Sequence, residues 1–488
     1  MTEVRSLRQK LLGLFSDTGF RGPVLSLMSG SGITLAAAYF AQPILTRIYG
    51  PEAFGVSDYF VGVMAILTPV ASLRYEDAVM TPERDRDAGH VIWLSAILSM
   101  TTVVLLTLAI PFSNGIARAI GFPEFARWVP LIPLGLFFSR ISRLSDLWLA
   151  RNQRFRIISA GEVGNKLTML GTRLGAGAFT SGAGGLIGGF VVGPVVSSVV
   201  YVRAMVKRGL TPPRPDLGGM RRVLSAYRRF PQFTLPSALL SAVVSRLPVL
   251  LLPLYFTIEI VGYYGRAFVV LAIPLSLLGN AIAQVFFVRA AQARSGGNLP
   301  ELTAAVHGRL VLLGVYPTLV LIAAGPALFD FVLGDAWRTS GEFVRLIGMW
   351  LMLASVSAPL TRLFDVLERQ RTELMTSVFT FILLTSTIVL AGRTGDIMLT
   401  LLLTGVAGSL SRVVQLSASL RVAGVRLGAA LRPYFRYALY SIPGIVLTMS
   451  AEEYISDGAA FGAMVGGGLV YLGLAYRQER RSRISTGL

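Results

Sequence analysis

The sequence predicts an all-α polytopic membrane protein with about 14 transmembrane helices, and three observations carry that prediction. First, mean hydropathy is +0.64, and only 15% of the 488 residues are charged, where soluble domains carry about 25%. Second, the apolar residues gather in repeated runs of roughly 20, the length a helix needs to cross about 30 Å of hydrocarbon. Third, Lys and Arg concentrate in alternate connections between those runs, as in a protein of the inner membrane. An outer-membrane barrel would instead show alternating segments of about 10 residues.

The spans fall in order at about 24–48, 56–80, 91–111, 129–150, 158–179, 184–202, 233–256, 261–287, 310–328, 343–363, 374–391, 396–420, 434–451 and 458–476. Ahead of them, residues 1–22 form a basic cytoplasmic lead with Arg5, Arg8, Lys10 and Arg21. Residues 23–202 then make a first six-helix bundle, 203–232 a basic linker, 233–420 a second bundle, and 421–488 two further helices with a basic tail. Within the linker, Thr211–Asp216 (TPPRPD) reads as a rigid extended connector. Met220–Phe230, with Arg221, Arg222, Arg228 and Arg229, reads as an amphipathic helix resting on an anionic leaflet.

Charge sets the topology. With the N-terminus cytoplasmic, the inner connections collect Arg84, Arg86, Arg151, Arg154, Arg156, Arg369, Arg371, Arg426, Arg432, Arg436 and the arginines after Arg477. The outer ones hold Arg47, Arg118, Arg127, Arg338 and Arg393. Both termini are then cytoplasmic. Losing two adjacent spans would preserve this pattern, so twelve spans satisfy it as well.

Composition also excludes chemistries. There is no cysteine and there are only two histidines, His90 and His307, so thiol catalysis is excluded and a histidine-built metal site is not expected. Both histidines stand alone near span ends and read as packing residues. The formal net charge of +19 follows from the loop arginines, so no nucleic-acid partner is inferred. No phosphate loop or zinc motif is present. Neither a metal nor an organic cofactor is expected.

An internal repeat is visible. Tyr49–Pro69 (YGPEAFGVSDYFVGVMAILTP) and Tyr255–Pro274 (YFTIEIVGYYGRAFVVLAIP) share an acidic turn, a glycine, an aromatic cluster and an apolar run ending in proline. Six spans separate the copies, so the repeats are parallel.

Ionisable residues inside spans are the sharpest functional signal, because each costs several kcal/mol in lipid unless it pairs, snorkels or lines water. Span 2 holds Arg74, Glu76 and Asp77; span 4 holds Arg140, Arg143 and Asp146; span 5 holds Glu162, Lys166 and Arg173. Later come Arg246, Arg266 and Arg412. Spacings of three, four and seven put the members of each cluster on one helical face. Arginine predominates, and its planar fork suits phosphate oxygens. One reading is a water-filled cationic cavity between two bundles that receives a phosphate-bearing headgroup. The other is local pairing with Asp77 and Asp146, or snorkelling from helix ends. Arg246 is the deepest of the set. Gly185, Gly189 and Gly193 recur every fourth residue and allow close helix approach. Pro69, Pro194, Pro248 and Pro274 are candidate helix breaks for gating.

The opening hairpin carries a family resemblance. Arg47–Gly55 (RIYGPEAFG), Tyr59, Ser72–Asp77 (SLRYED) and the charged Pro82–Asp87 run resemble bacterial polysaccharide biosynthesis membrane proteins. These are O-antigen and exopolysaccharide flippases of the multidrug/oligosaccharidyl-lipid/polysaccharide exporter superfamily. The resemblance implies two six-helix bundles in a V-shaped arrangement plus a C-terminal helix pair. It also implies a transporter, not an enzyme, that moves undecaprenyl-pyrophosphate-linked oligosaccharide to the periplasmic leaflet by alternating access. It places the protein in the bacterial inner membrane among membrane lipids, with a polysaccharide polymerase and glycosyltransferases as partners. The basic cavity residues would engage the pyrophosphate. Coupling to an H+ or Na+ gradient is implied, with Glu76, Asp77, Asp146 and Glu162 as candidate acids and none singled out. A lipid II flippase and a multidrug exporter of the same superfamily are the neighbouring alternatives, the latter wanting an acidic site. A membrane-embedded polymerase or glycosyltransferase would need a large external loop or soluble domain, and neither is seen.

Overall fold

The computed structural model describes residue 37 and residues 39–485, without side-chain detail at scattered positions between 273 and 296 and from 479 on. The basic lead 1–22 and most of the first predicted span lie outside the described residues. Among the described residues every regular element is helical. Among the described residues, nine helical stretches are long and apolar enough to cross a membrane by length and composition: 51–71, 85–108, 184–207, 230–254, 299–333, 335–366, 370–392, 397–422 and 457–478.

The described residues divide into two compact units, one formed by 39–48 together with 60–239, the other by 49–59 together with 240–485. The first contains α1 (Gln42–Ile48), most of α2 (Pro51–Ala71), α3 (Asp85–Leu108), α4 (Ser113–Ala119), α5 (Leu131–Arg151), α6 (Phe155–Gly177), α7 (Gly184–Lys207) and α8 (Leu217–Ala226). Helices α6 and α7 pack as a hairpin through missing side chains. A Cβ on Gly189 would press on Arg173 and the Met169 carbonyl, one on Gly193 on Asn165, and one on Gly161 on the Tyr201 ring. An apolar cluster of Tyr75, Val79, Val91, Ile92, Leu144, Trp148, Tyr201 and Val223 ties α3, α5, α7 and α8 together at one end.

The second predicted span corresponds to a shorter helix than expected. Helix α2 stops at Ala71 instead of continuing to about residue 80. Leu73 and Arg74 take left-handed backbone conformations (φ 50° and 62°), and a 3-10 helix follows over Tyr75–Met80. Arg74, Glu76 and Asp77 therefore lie in a turn, not on the face of a spanning helix. Two non-glycine residues at positive φ cost roughly 1–2 kcal/mol each, so the turn needs a compensating anchor.

In the linker the helix expected over Met220–Phe230 runs from Leu217 to Ala226. Residues 210–216 have no regular secondary structure, and α8 begins where Asp216, itself extended, accepts a hydrogen bond from the Gly219 amide. Only Gly219 and Val223 of α8 are buried.

The second unit contains the first turns of α2, most of α9 (Leu235–Leu251), α10 (Ile258–Gly296), α11 (Leu299–Leu333), α12 (Arg338–Leu360), the short α13 (Arg362–Val366), α14 (Gln370–Gly392), α15 (Ile397–Val422), α16 (Leu427–Tyr454) and α17 (Asp457–Ser485). Its centre is α11, packed on α10, α12, α16 and α17. The Tyr316 hydroxyl donates to the Met464 carbonyl at 2.6 Å and the Tyr471 hydroxyl to Leu312 at 2.6 Å, fastening α17 to α11. The two copies of the internal repeat meet here. A Cβ on Gly55 would enter the Ile258 carbonyl, and one on Gly262 would enter that of Pro51. Equivalent glycines in the two copies thus let α2 and α10 touch backbone to backbone, which is why residues 49–59 group with the second unit.

Pro69, Pro194, Pro248 and Pro274 all lie inside continuous helices. The helical conformation is broken instead in α11 at Ala324 (φ −115°, ψ 23°), two residues before Pro326. There Gly325 lies against the backbone of Gly341 on α12. A proline removes one hydrogen bond and crowds the carbonyl four residues earlier, and its helix bends sharply only where neighbouring packing accommodates the change.

Gly262→Val should lower the unfolding midpoint in detergent, at a cost of about 1–3 kcal/mol for overpacking. Gly466→Ala, at a helical position with nothing within 4 Å of the added Cβ, should leave it unchanged or raise it slightly. Equal midpoints for the two variants would refute the glycine seam.

Candidate functional site

In the first unit the predicted cations separate into anchors and open charges. Arg140, on α5, is only 3% exposed. Its guanidinium pairs with Glu76 at 2.8 Å and donates to Ser72 Oγ at 3.0 Å and Ser99 Oγ at 3.3 Å. Ser72 in turn donates to Glu76. Arg140 is thus saturated and sealed, and it serves as the anchor for the left-handed turn. Glu76, a candidate coupling acid, is consumed by the same network. Arg74 pairs with Asp77 at 3.5 Å, and Arg143 with Asp146 at 2.9 Å. Arg173 donates to the Leu186 carbonyl at 3.3 Å. Lys166 and Glu162 are exposed on α6.

A second polar cluster holds the linker. His90, fully buried on α3, sits 2.9 Å from Asp216 through Nε2 and 3.8 Å from Asp87 through Nδ1. Arg86 pairs with Asp216 at 3.3 Å, and the Trp93 indole donates to the Pro213 carbonyl at 3.0 Å. The Gly219 amide, then His90 and Arg86, hold the Asp216 carboxyl below its ordinary value of 3.8. A lowered folded value means that the carboxylate's contribution is complete above the unfolded pKa and is lost as pH falls through the folded one. His90 is therefore a docking residue, a role that a lone histidine in a sequence does not reveal. Arg151 closes the same end, donating to the carbonyls of Val79, Pro82 and Glu83 and pairing with Asp85 at 2.9 Å.

In the second unit Arg266 is 5% exposed. Its guanidinium meets Asp58 at 3.1 Å and lies over the Phe54 ring at 4.0 Å, so it is already engaged. Asp58 was not singled out in the sequence. Superposing the two repeat copies on their contacting glycines would have found it, because Asp58 then matches Gly265, next to Arg266. Arg412 on α15 has a neutral partner, the Gln415 amide oxygen, at 2.6 Å. Arg246 lies mid-helix in α9, half-buried, within electrostatic reach of Tyr264. Among the described residues neither Arg246 nor Lys166 makes an ion pair or hydrogen bond through its charged group. The arrangement offers oxyanion recognition at a few open cations and no cluster of three metal-ligating side chains among the described residues.

Among the described residues the fold is thus all-helical, with long apolar helices. The model of the family described as polysaccharide biosynthesis protein matches residues 44–342, more than half of the sequence, and the chain belongs to that family. Solved structures share the fold, and three of them illustrate it. The lipid II flippase MurJ in an inward closed conformation gives TM-score 0.75 at 13% identity, covering 93% of this chain and 99% of that one. An inward-facing multidrug resistance MATE family transporter of the MOP superfamily gives 0.60 at 16%, covering 80% and 94%. An outward-facing structure of that class gives 0.54 at 15%, covering 82% and 96%. No curated protein matches the sequence. The chain is a multi-pass membrane protein of the polysaccharide biosynthesis family.

Arg140→Met should cost about 3–5 kcal/mol by stranding Glu76 in the core. Arg140→Met with Glu76→Leu should recover most of that loss in detergent unfolding. If the double variant is no more stable than the single one, the anchor role is wrong. Separately, Asp216→Ala should speed tryptic cleavage after Arg221 in the folded protein, while cleavage after Arg477 should be unchanged.

Proposed function

We propose that this protein is a flippase, not an enzyme, that carries an undecaprenyl-pyrophosphate-linked oligosaccharide from the cytoplasmic to the periplasmic leaflet of the bacterial inner membrane. The product would feed cell-surface polysaccharide such as O-antigen or exopolysaccharide, with glycosyltransferases before it and a polymerase after it. The observation that carries the reading is the family match over residues 44–342. At residue level it is supported by Arg246, a half-buried cation in the middle of α9. Such a group needs a negative partner, and a pyrophosphate supplies one. Arg140 and Arg266 are better read as structural, because both are already paired and buried. Coupling to an H+ or Na+ gradient is assigned to Asp77, Asp146 and Glu162 in preference to the sealed Glu76. Fourteen spans with both termini cytoplasmic, and two six-helix bundles as the moving parts, complete the proposal.

A second reading is transport of lipid II. It is supported by the likeness to MurJ over 93% of this chain.

Leaflet sidedness of lipid-linked intermediates decides between the readings. In cells lacking the gene, the oligosaccharide lipid should accumulate on the cytoplasmic side. Wild type and Arg246→Lys should restore export in whole or in part, and Arg246→Ala should not. Normal sidedness with unpolymerised product outside would sink the proposal, and cytoplasmic accumulation of lipid II alone would favour the second reading.

A further inference from the structure

The first unit carries a groove of about 440 Å³ between α8 and the segment that leads into α3, a volume in the range of small-ligand sites. Glu83, Arg84 and Asp87 line one side, and Arg222 and Tyr227 the other. Pro82 and Val223, both buried, supply its apolar part. Charges around it are paired: Arg86 with Asp216 at 3.3 Å and Arg151 with Asp85 at 2.9 Å. Within the groove the pattern differs. Among the described residues, Glu83, Arg84 and Arg222 make no ion pair and no hydrogen bond through their side chains. Asp87 has only His90 Nδ1, at 3.8 Å. Neither guanidinium comes within 4.0 Å of either carboxylate. Opposite charges therefore line one concavity without closing on each other.

Charge selects the kind of ligand that fits. A simple anion would meet Arg84 and Arg222 but would face Glu83 and Asp87. A simple cation would meet the reverse. A dipolar ligand satisfies both sets, with an oxyanion on the guanidinium forks and an ammonium on the carboxylates. Position selects its source. The exposed apolar side chains of α3, Trp93, Ile97, Met100, Val104 and Leu108, recur at spacings of three and four and so form one stripe along the helix. That stripe starts less than two turns from Asp87. Met80, 50% exposed, stands just before the groove. Trp93 and Tyr227 are amphipathic aromatics of the kind that sit at headgroup level. A lipid lying along α3 can therefore place its headgroup in the groove.

We propose that this groove binds the headgroup of a bilayer phospholipid that carries both a phosphate and a primary ammonium, as phosphatidylethanolamine does. Arg84 and Arg222 take the phosphate, and Glu83 and Asp87 take the ammonium. One wall belongs to the lead into α3 and the other to α8, so the bound headgroup staples the linker helix to the first unit. It adds to the hold of His90 and Arg86 on Asp216. The site is independent of the flippase reading, because it recognises a resident lipid and not a transported one.

The test is native mass spectrometry of the full-length protein in detergent micelles, titrated with dioleoyl phosphatidylethanolamine, phosphatidylglycerol and phosphatidylcholine. Wild type should bind the ethanolamine lipid most tightly. The glycerol lipid lacks the ammonium, and the choline lipid keeps the charge without its N–H donors. Glu83→Gln should weaken the ethanolamine lipid about threefold, as for loss of one exposed ion pair, and should leave the glycerol lipid unchanged or bound more tightly. Arg222→Gln should weaken both by about that factor. Both side chains are exposed, so the melting midpoints of the lipid-free variants should match wild type. In wild type the ethanolamine lipid should also slow tryptic cleavage after Arg221 more than the glycerol lipid does, and Glu83→Gln should remove that difference. The site is overturned if the glycerol or the choline lipid binds wild type as tightly as the ethanolamine lipid, which would mean a merely anionic surface or annular lipid. It is overturned equally if Glu83→Gln and Arg222→Gln leave the lipid preference of wild type intact. The flippase reading fails separately, through normal leaflet sidedness in cells without the gene.

Discussion

A guanidinium buried among apolar helices must meet a counter-charge, and that requirement shapes both units. Water is not there to solvate it, and the penalty for an isolated buried charge exceeds the net stability of most folded domains. In the first unit, Arg140 meets the constraint by drawing Glu76, Ser72 and Ser99 around itself. That demand fixes where α2 ends. The carboxylate can reach α5 only if the chain leaves the helix after Ala71 and passes through two left-handed residues. The buried pair and the strained turn are therefore one device.

The second unit meets the same constraint by another route. Arg266 is held by Asp58 and by the face of Phe54, and both partners come from the other copy of the internal repeat. They can reach it because Gly55 and Gly262 have no side chains to keep α2 and α10 apart. Small residues thus set the helix separation, and that separation makes the ion pair geometrically available. Similar economy operates at Gly405 and Gly408, which bring α15 against α12.

Some of the span cations singled out in the sequence are not part of such pairs. Arg246 and Lys166 have no ion-pair partner among the described residues, and Arg412 has only a neutral one. In the proposed flippase, such groups are where a phosphate-bearing headgroup would be met. The paired arginines, Arg140 and Arg266, maintain the scaffold. Membership of the polysaccharide biosynthesis family gives that recognition a biological direction.

The sequence by itself determined the helical membrane class, the family, the place of most helices and the proline-rich interruption between Lys207 and Leu217. Each of these depends on local or additive properties, namely hydropathy summed over a window, proline spacing and a short motif. It also singled out charged residues inside apolar runs, because ionisable groups there are conspicuous. Which of them are anchors was decided only by the tertiary structure. Pairing depends on residues far apart in sequence, such as Arg140 with Glu76, Asp58 with Arg266, and His90 with Asp216. The same holds for the helix break at Ala324. A proline's effect depends on its neighbours' packing, and no window of sequence contains that packing.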